Sequence, residues 1–252
     1  MAIGPNRAEL HRASLLKDVR FAARDRIKRD SYADAEVSKQ QIDAFGKMVA
    51  IRYRGWYSGA PLKSEGRAAQ KVHLDYNMDW HQIKDIARAT IIAPSAIVCQ
   101  AILMEIEQHL SVRKAGGLGV VQVKNVTADQ DPCGYSSTTV FVRTSTGRAA
   151  EIQINVREIL YAKQSEQSVT RVIGPGEYNS IKSKYRLEGG MGHRLYEIYR
   201  VAPGAHTTPK VQDVSKAYYA YFRKGHYDQM ECDRIKRDLA ALGLLGSSPG
   251  SH

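Results

Sequence analysis

Across 252 residues the chain is 43% hydrophobic and 25% charged, with a formal net charge of +11. This is the composition of an ordinary globular protein, long enough for one large or two small domains around a sizeable core. No apolar run approaches the ~18 residues of a membrane span. The three cysteines, Cys99, Cys133 and Cys232, share no CxxC spacing, which points to a reducing compartment and against structural zinc.

Charges recur from Arg7 onward, so no signal-peptide stretch is expected. Residues 7–30 read as an amphipathic helix, with Leu10, Ala13, Leu16, Val19 and Ala23 at helical spacing. A break over 30–34 precedes a second helix at about 34–52. The stretch from Arg54 to Pro61 predicts a loop punctuated by two glycines and a proline. A third helix fits 64–76, with Ser64 as N-cap and Ala68, Ala69 and Val72 as its apolar face. The run 83–92 reads as a strand, after which Pro94-Ser95 opens an apolar helix to about residue 109.

The glycines at 116, 117 and 119 predict a turn into a strand over 120–123. They are not a dinucleotide fingerprint, which follows a strand and opens a helix. A polar loop then runs to Gly134-Tyr135. Residues 138–143 and 149–155 are strands joined by a short turn at Gly147, so they must be antiparallel. A helix over 156–164, a loop around Gly174-Pro175-Gly176, and helices near 193–201, 209–224 and 227–243 follow. The tail 246–252 has a disordered composition.

The expected architecture is one domain over 1–245. It has N-terminal helices (1–54), a mixed α/β core (55–165) and a C-terminal loop and helices (166–245). This is an α/β (α+β) fold whose partly antiparallel sheet is clasped by helices from both ends. Charge is unevenly spread: residues 1–54 and 181–252 each hold 12 basic and 7 acidic residues, and the middle holds 13 and 12. Basic flanks suit either solubility or a polyphosphate or nucleic-acid partner.

The strand at 149–155 carries the first functional signal. Ile152 and Ile154 point one way, while Glu151, Gln153 and Asn155 point the other. Such a face is either solvated or the floor of a site. Lys124, then Gly134-Tyr135 ten and eleven residues on, then Glu151-x-Gln153-Ile154 resembles the synthetase domain of the RelA/SpoT family. Those enzymes move a pyrophosphate from ATP to a nucleotide 3′-hydroxyl on a nucleotidyltransferase-like fold. Asp85-Ile86-Ala87-Arg88-Ala89-Thr90 is similar to the family's Asp-Ile-Ala-Gly-Ile-Arg strand. The resemblance implies that Asp85 and Glu151 are the catalytic pair and hold Mg²⁺, which takes one or two carboxylates and completes its shell with phosphate and water.

Lys63, Arg67 and Lys71 recur at i, i+4 and i+8, one stripe of a helix. This is either a solvated face or, by the resemblance, the family's Lys-x-x-x-Ser-x-x-x-Lys run on the ATP phosphates. Arg67 replaces the serine, and a guanidinium can fork onto phosphate oxygens. The two arginines that sandwich the donor adenine in the family correspond to Pro61 and Thr90 here. Arg88 and Arg54 are the candidate substitutes.

On the acceptor side the resemblance implies stacking on Tyr135 beside Gly134, phosphates against Lys124, and contacts from Gln153, Asn155 and His193. Departures cluster here: Thr139 stands for the family histidine, Asn155 for its arginine and Cys133 for its asparagine. The expected acceptor is a purine nucleotide, giving (p)ppGpp-type alarmones. Adenine nucleotides or the tRNA 3′ end, as in toxic members, are the rival acceptors. A catalytically inactive RNA-binding module is the alternative from another class. No His-Asp dipeptide of the family's hydrolase domain occurs. Expected partners are ATP, the acceptor and, for a toxin, an antitoxin or immunity protein. Action is expected in the cytosol, with no membrane association, and delivery into another cell is compatible with the sequence.

Overall fold

A computed structural model describes residues 7–111, 118–201 and 208–245. The glycines at 116 and 117, the tail 246–252 and the side chains of Leu10, Ala13, Leu16 and Val19 lie outside the described residues. The chain opens with one continuous helix, α1 (Arg7–Arg52), where two helices were expected. No glycine or proline interrupts residues 7–45, and the hydroxyls of Ser31 and Ser38 turn back onto the carbonyls of Ile27 and Asp34, each at 2.7 Å. A serine bonded four residues back satisfies itself inside the helix and need not cap a new one. Ala35, Ile42 and Val49 are buried on the sheet-facing side, and the Tyr32 hydroxyl donates to the Lys63 carbonyl at 2.7 Å.

The expected loop at 54–61 contains an edge strand, β1 (Trp56–Gly59). It pairs antiparallel with β2 (Arg88–Ala93), Trp56 opposite Ile92 and Gly59 opposite Ala89. Gly55 permits the approach, because a Cβ there would lie 2.4 Å from the Ile92 carbonyl oxygen. α2 (Glu65–Asp75) buries Ala68 and Val72 as expected. Ser64 occupies the N-cap position without a side-chain cap bond, and Ala69 is exposed. The strand begins three residues after Asp85, so Asp85 lies in the irregular segment entering β2 and not within a strand.

After α3 (Ala96–Ser111) come β3 (Gly119–Val126), β4 (Ser137–Arg143) and β5 (Ala149–Val156). Lys124 therefore belongs to β3 and not to the loop. The sheet order is β1-β2-β5-β4-β3, with β2 and β5 parallel and every other pair antiparallel. Period-two alternation divides the sheet. Ala89, Ile91, Val140, Ile152 and Ile154 are buried in the core completed by α1 and α3. Arg88, Thr90, Ile92, Glu151, Gln153 and Asn155 face the other way.

That second face is covered at one end by α4 (Arg157–Lys163), α5 (Glu166–Tyr185), α6 (Met191–Val201), α7 (Thr208–Arg223) and α8 (Gln229–Ala241). The glycine–proline stretch expected as a loop lies inside α5. Gly174 (φ 84°, ψ 158°) kinks the helix, and Pro175 opens its second half. The helical core is rich in tyrosine, and several of its buried phenol hydroxyls donate to backbone carbonyls. Tyr161 donates to Leu187 O, Tyr218 to Glu188 O and Tyr221 to Tyr185 O, at 2.7–3.0 Å. For these tyrosines the aromatic bulk is buried without stranding the hydroxyl. Ile92 joins this core, whereas Thr90 and Arg88 extend beyond it.

Candidate active site

Strand register sets the floor of the site. Arg88 stands beside Glu151 and Thr90 beside Gln153. The second row continues through Thr139 to Lys124 across β4 and β3. Glu151 is buried, and its Oε1 accepts a 2.7 Å hydrogen bond from Gln153. Burial, then the neighbouring Asp85 charge, push its carboxyl above the ordinary glutamate value.

Asp85 is 6% exposed, close enough for its charge to act on Glu151. Its Oδ2 accepts from Lys63 Nζ at 2.5 Å and from Lys71 Nζ at 2.9 Å. Lys63 precedes α2, so the stripe is not carried by one helix, and convergence on Asp85 is what unites the two lysines. Burial pushes the Asp85 carboxyl up, but the two lysine hydrogen bonds outweigh it and hold the group below its ordinary value. Burial likewise pulls Lys71 down and is outweighed by Asp85, so that ammonium is raised. Asp85 Oδ1 is buried with no hydrogen-bond partner among the described residues. An orphaned carboxylate oxygen beside a second carboxylate fits a hard divalent cation, and two carboxylates suit Mg²⁺ better than an all-protein cage. Among the described residues no group of three or more metal-ligating side chains occurs.

Beside Glu151 opens a cavity of about 410 Å³. Arg88, Thr90, Glu151 and Gln153 line its floor, Pro61 its rim, and Lys163 and Arg171 the facing wall from α4 and α5. Arg88 Nε is buried without a partner among the described residues. Sequence reasoning missed Lys163 and Arg171. Nothing local marks them, since they reach the cavity only because the C-terminal helices fold back over β2 and β5.

Tyr135 sits at the covered end of the floor. Its hydroxyl accepts a 2.6 Å hydrogen bond from the Asn155 amide, its ring meets Tyr219 edge-on at 5.7 Å, and Lys163 Nζ lies 4.2 Å from its centroid. Asp131 shapes the preceding loop by accepting from the Cys133 and Tyr135 backbone N–H groups. Gly134 (φ +74°) makes a close backbone approach, and its neighbour is α7: a Cβ would lie 2.8 Å from Lys216 Cα. Cys133 is buried, and burial pushes its thiol up to about 11.

Four candidates lie elsewhere. Arg54 is in the turn after α1, beyond the Ile92 end of β2, about 13 Å or more along the strand from Arg88. Arg67 is exposed on α2 and does not join Lys63 and Lys71 on Asp85. His193 is exposed on α6, paired with Glu197 at 3.8 Å, and does not line the cavity. Lys124 is exposed on β3, two strands from Gln153, roughly 10 Å across the sheet.

No protein-family model matches the chain. Over 196 residues, 77% of its length, it is 35% identical to the (p)ppApp synthetase toxin Tas1 of Pseudomonas aeruginosa (strain UCBPP-PA14). The crystal structure of the complex between the Type VI effector Tas1 and its immunity protein matches with a TM-score of 0.68 at 34% identity, over 78% of this chain and 96% of that chain. The chain belongs to the RelA/SpoT-type synthetase family. The match spans 42% of the length of the full Tas1 protein. Small alarmone synthetase 2 from Bacillus subtilis shares this synthetase fold, with a TM-score of 0.50 at 15% identity over 78% of this chain and 95% of that chain. The five-stranded mixed sheet between two sets of helices is thus the synthetase fold, as the family resemblance implied.

Proposed function

We propose that the chain is an ATP-dependent pyrophosphokinase that transfers the β,γ-pyrophosphoryl group of ATP to the 3′-hydroxyl of a purine nucleotide. The observation that carries this reading is Asp85, with one oxygen shared by Lys63 and Lys71 and the other orphaned beside Glu151. An inactive RNA-binding module would have no use for that arrangement. The acceptor 3′-oxygen forms the new bond to the β-phosphorus, the bond from that phosphorus to the α,β-bridging oxygen breaks, and AMP leaves. The hydroxyl proton goes to Glu151, whose raised affinity for protons suits a general base.

Lys63 and Lys71 hold the phosphates electrostatically, and Asp85 keeps both ammoniums in place before ATP arrives. Asp85 and Glu151 would hold Mg²⁺, which supplies charge neutralisation on the transferring group. Tyr135 offers a ring for the acceptor base, with Asn155 fixing its hydroxyl. Lys124, two strands away on β3, lies outside this immediate constellation and would meet only the far phosphates of an extended acceptor.

Adenine nucleotides are the favoured acceptors, ahead of guanine nucleotides and of tRNA. The relative at 35% identity is a (p)ppApp synthetase, and the family histidine and arginine on the acceptor side are Thr139 and Asn155 here. By the same relationship the chain acts as a toxin in the cytosol of a target cell and is neutralised by an immunity protein. No helix among the described residues is long and apolar enough to cross a membrane. Incubating the protein and Mg²⁺ with labelled ATP and, in turn, AMP, ADP, ATP, GDP, GTP and tRNA tests the proposal. Labelled adenosine 3′-pyrophosphates are the expected product. Labelled guanosine or tRNA products alone would replace the acceptor, and no transfer to any would overturn the activity.

A further inference from the structure

The three cations lining the cavity beside Glu151 are in different states. Lys163 is engaged, its ammonium 4.2 Å from the centroid of the Tyr135 ring. Arg88 lies in the floor, half-buried, with a buried Nε that has no partner among the described residues. Arg171 faces it from α5. It is exposed and makes no hydrogen bond or ion pair with any described residue. Among the described residues Glu151 is the one acid in the lining, and its Oε1 is taken by Gln153. A guanidinium without a counter-ion on one wall and an unfilled donor on the other call for a ligand between them.

The local structure holds Arg171 on this wall. Ser165 caps α5 by accepting from the Ser168 N–H, and Val169 is buried beneath the same turn. Ser168 and Val172 then share the cavity-facing side with Arg171, three and one residues away. Leu160 and Val172 supply apolar surface. A volume of about 410 Å³ suits one nucleoside-sized group. Guanidinium is planar and weakly hydrated, so it stacks on the flat face of a base where an ammonium does not. Pro61 and Thr90, where the family resemblance places arginines, also line this cavity and carry no charge.

We infer that Arg171 is the donor-base clamp of this enzyme, stacking on the purine of ATP from above while Arg88 lies beneath it. The inference rests on the pyrophosphokinase reading and adds a residue from the C-terminal helices to the donor site. It makes α5 part of substrate selection and leaves the reacting atoms to Asp85 and Glu151.

The test uses Arg171→Ala and Arg171→Lys in the full chain. Binding of the non-transferable analogue α,β-methylene-ATP is measured by calorimetry, and transfer is measured with saturating acceptor. Arg171→Ala should weaken analogue binding and raise the KM for ATP about tenfold, with kcat and the acceptor KM within about twofold of wild type. Arg171→Lys should recover less than half of that loss on a logarithmic scale, because it restores charge without the plane. The melting temperature should not move, since the side chain is exposed. Wild-type affinity for the analogue in Arg171→Ala, or full recovery in Arg171→Lys, would overturn the clamp. Wild-type protein that binds the analogue yet transfers to no acceptor would overturn the activity, while the binding arm still decides the clamp. Wild-type protein that does not bind the analogue overturns both.

Discussion

Asn155 donates a 2.6 Å hydrogen bond from its side-chain amide to the Tyr135 hydroxyl, tying the last polar residue of the β5 floor to the loop before β4. Asn155 is 6% exposed, so no bulk water replaces that acceptor if it is removed. The hydroxyl of Tyr135 therefore has a structural task separate from any stacking by its ring.

Tyr135→Phe should lose about 1–2 kcal/mol of stability, the cost of stranding a buried amide donor. It should keep near-wild-type acceptor affinity, because the ring remains. Tyr135→Ala should weaken acceptor binding by about 1–3 kcal/mol and leave ATP affinity alone. Urea unfolding and steady-state kinetics separate the two effects. Equal acceptor affinity in Tyr135→Ala and wild type would remove the ring from the site.

Asp85→Asn and Glu151→Gln should each reduce transfer by about 10²–10⁴, the range for loss of a general base. The variants should differ in stability. Asp85→Asn leaves two ammoniums around a neutral amide and should cost about 1–3 kcal/mol. Glu151→Gln relieves a buried charge and should be neutral or stabilising at pH 7. Near-wild-type turnover in either variant would sink the assignment.

The two carboxyls should also give opposite pH signatures. The folded-state pKa of Asp85 is lowered, so its contribution is complete above the unfolded value and is lost as pH falls through the folded one. That of Glu151 is raised, so its contribution is complete below the unfolded value and is lost as pH rises through the folded one. Denaturant midpoints followed from pH 3 to 8 should show Asp85→Asn losing less stability than wild type on the acid side. Glu151→Gln should lose less on the rising side. An unchanged profile in either variant refutes the corresponding shift.

Lys63→Ala and Lys71→Ala should each weaken ATP binding by about 1–3 kcal/mol, the scale of a charge-assisted hydrogen bond. Arg67→Ala should have a smaller effect, because Arg67 is exposed and does not converge on Asp85. Titration with α,β-methylene-ATP measures all three. An Arg67→Ala loss matching that of the lysines would restore the three-residue stripe.

Two turn glycines provide an internal control on the Tyr135 loop. Gly134 and Gly147 both have positive φ, but only Gly134 faces backbone. A methyl group on Gly134 would sit 2.8 Å from Lys216 Cα, while one on Gly147 would meet nothing within 4 Å. Gly147→Ala should cost about 1–2 kcal/mol of left-handed strain. Gly134→Ala should cost measurably more by thermal unfolding and should raise the acceptor KM by shifting the loop. Equal melting temperatures would show that α7 yields to the methyl group.

The sequence by itself determined what depends on neighbours along the chain. The 138–155 hairpin, the split of Glu151, Gln153 and Asn155 from Ile152 and Ile154, and the buried stripe of α2 all follow from local period and turn chemistry. Asp85, Lys63 and Lys71 were legible because their spacing resembles a known family, although the sequence could not place all three at one carboxylate oxygen. Tertiary structure decided the rest. Burial of Ala35, Ile42 and Val49 against the sheet favours one continuous α1, and within it Ser31 and Ser38 satisfy themselves on carbonyls four residues back. Trp56–Gly59 becomes a strand only because β2 offers it an unpaired edge, and a four-residue segment has no stability as a strand alone. Arg171 and Lys163 enter the site, and Arg54 and His193 do not, through the docking of helices on β2 and β5. A side chain's spacing fixes which side of its own element it occupies. What that side meets is set by burial among elements far apart in the chain.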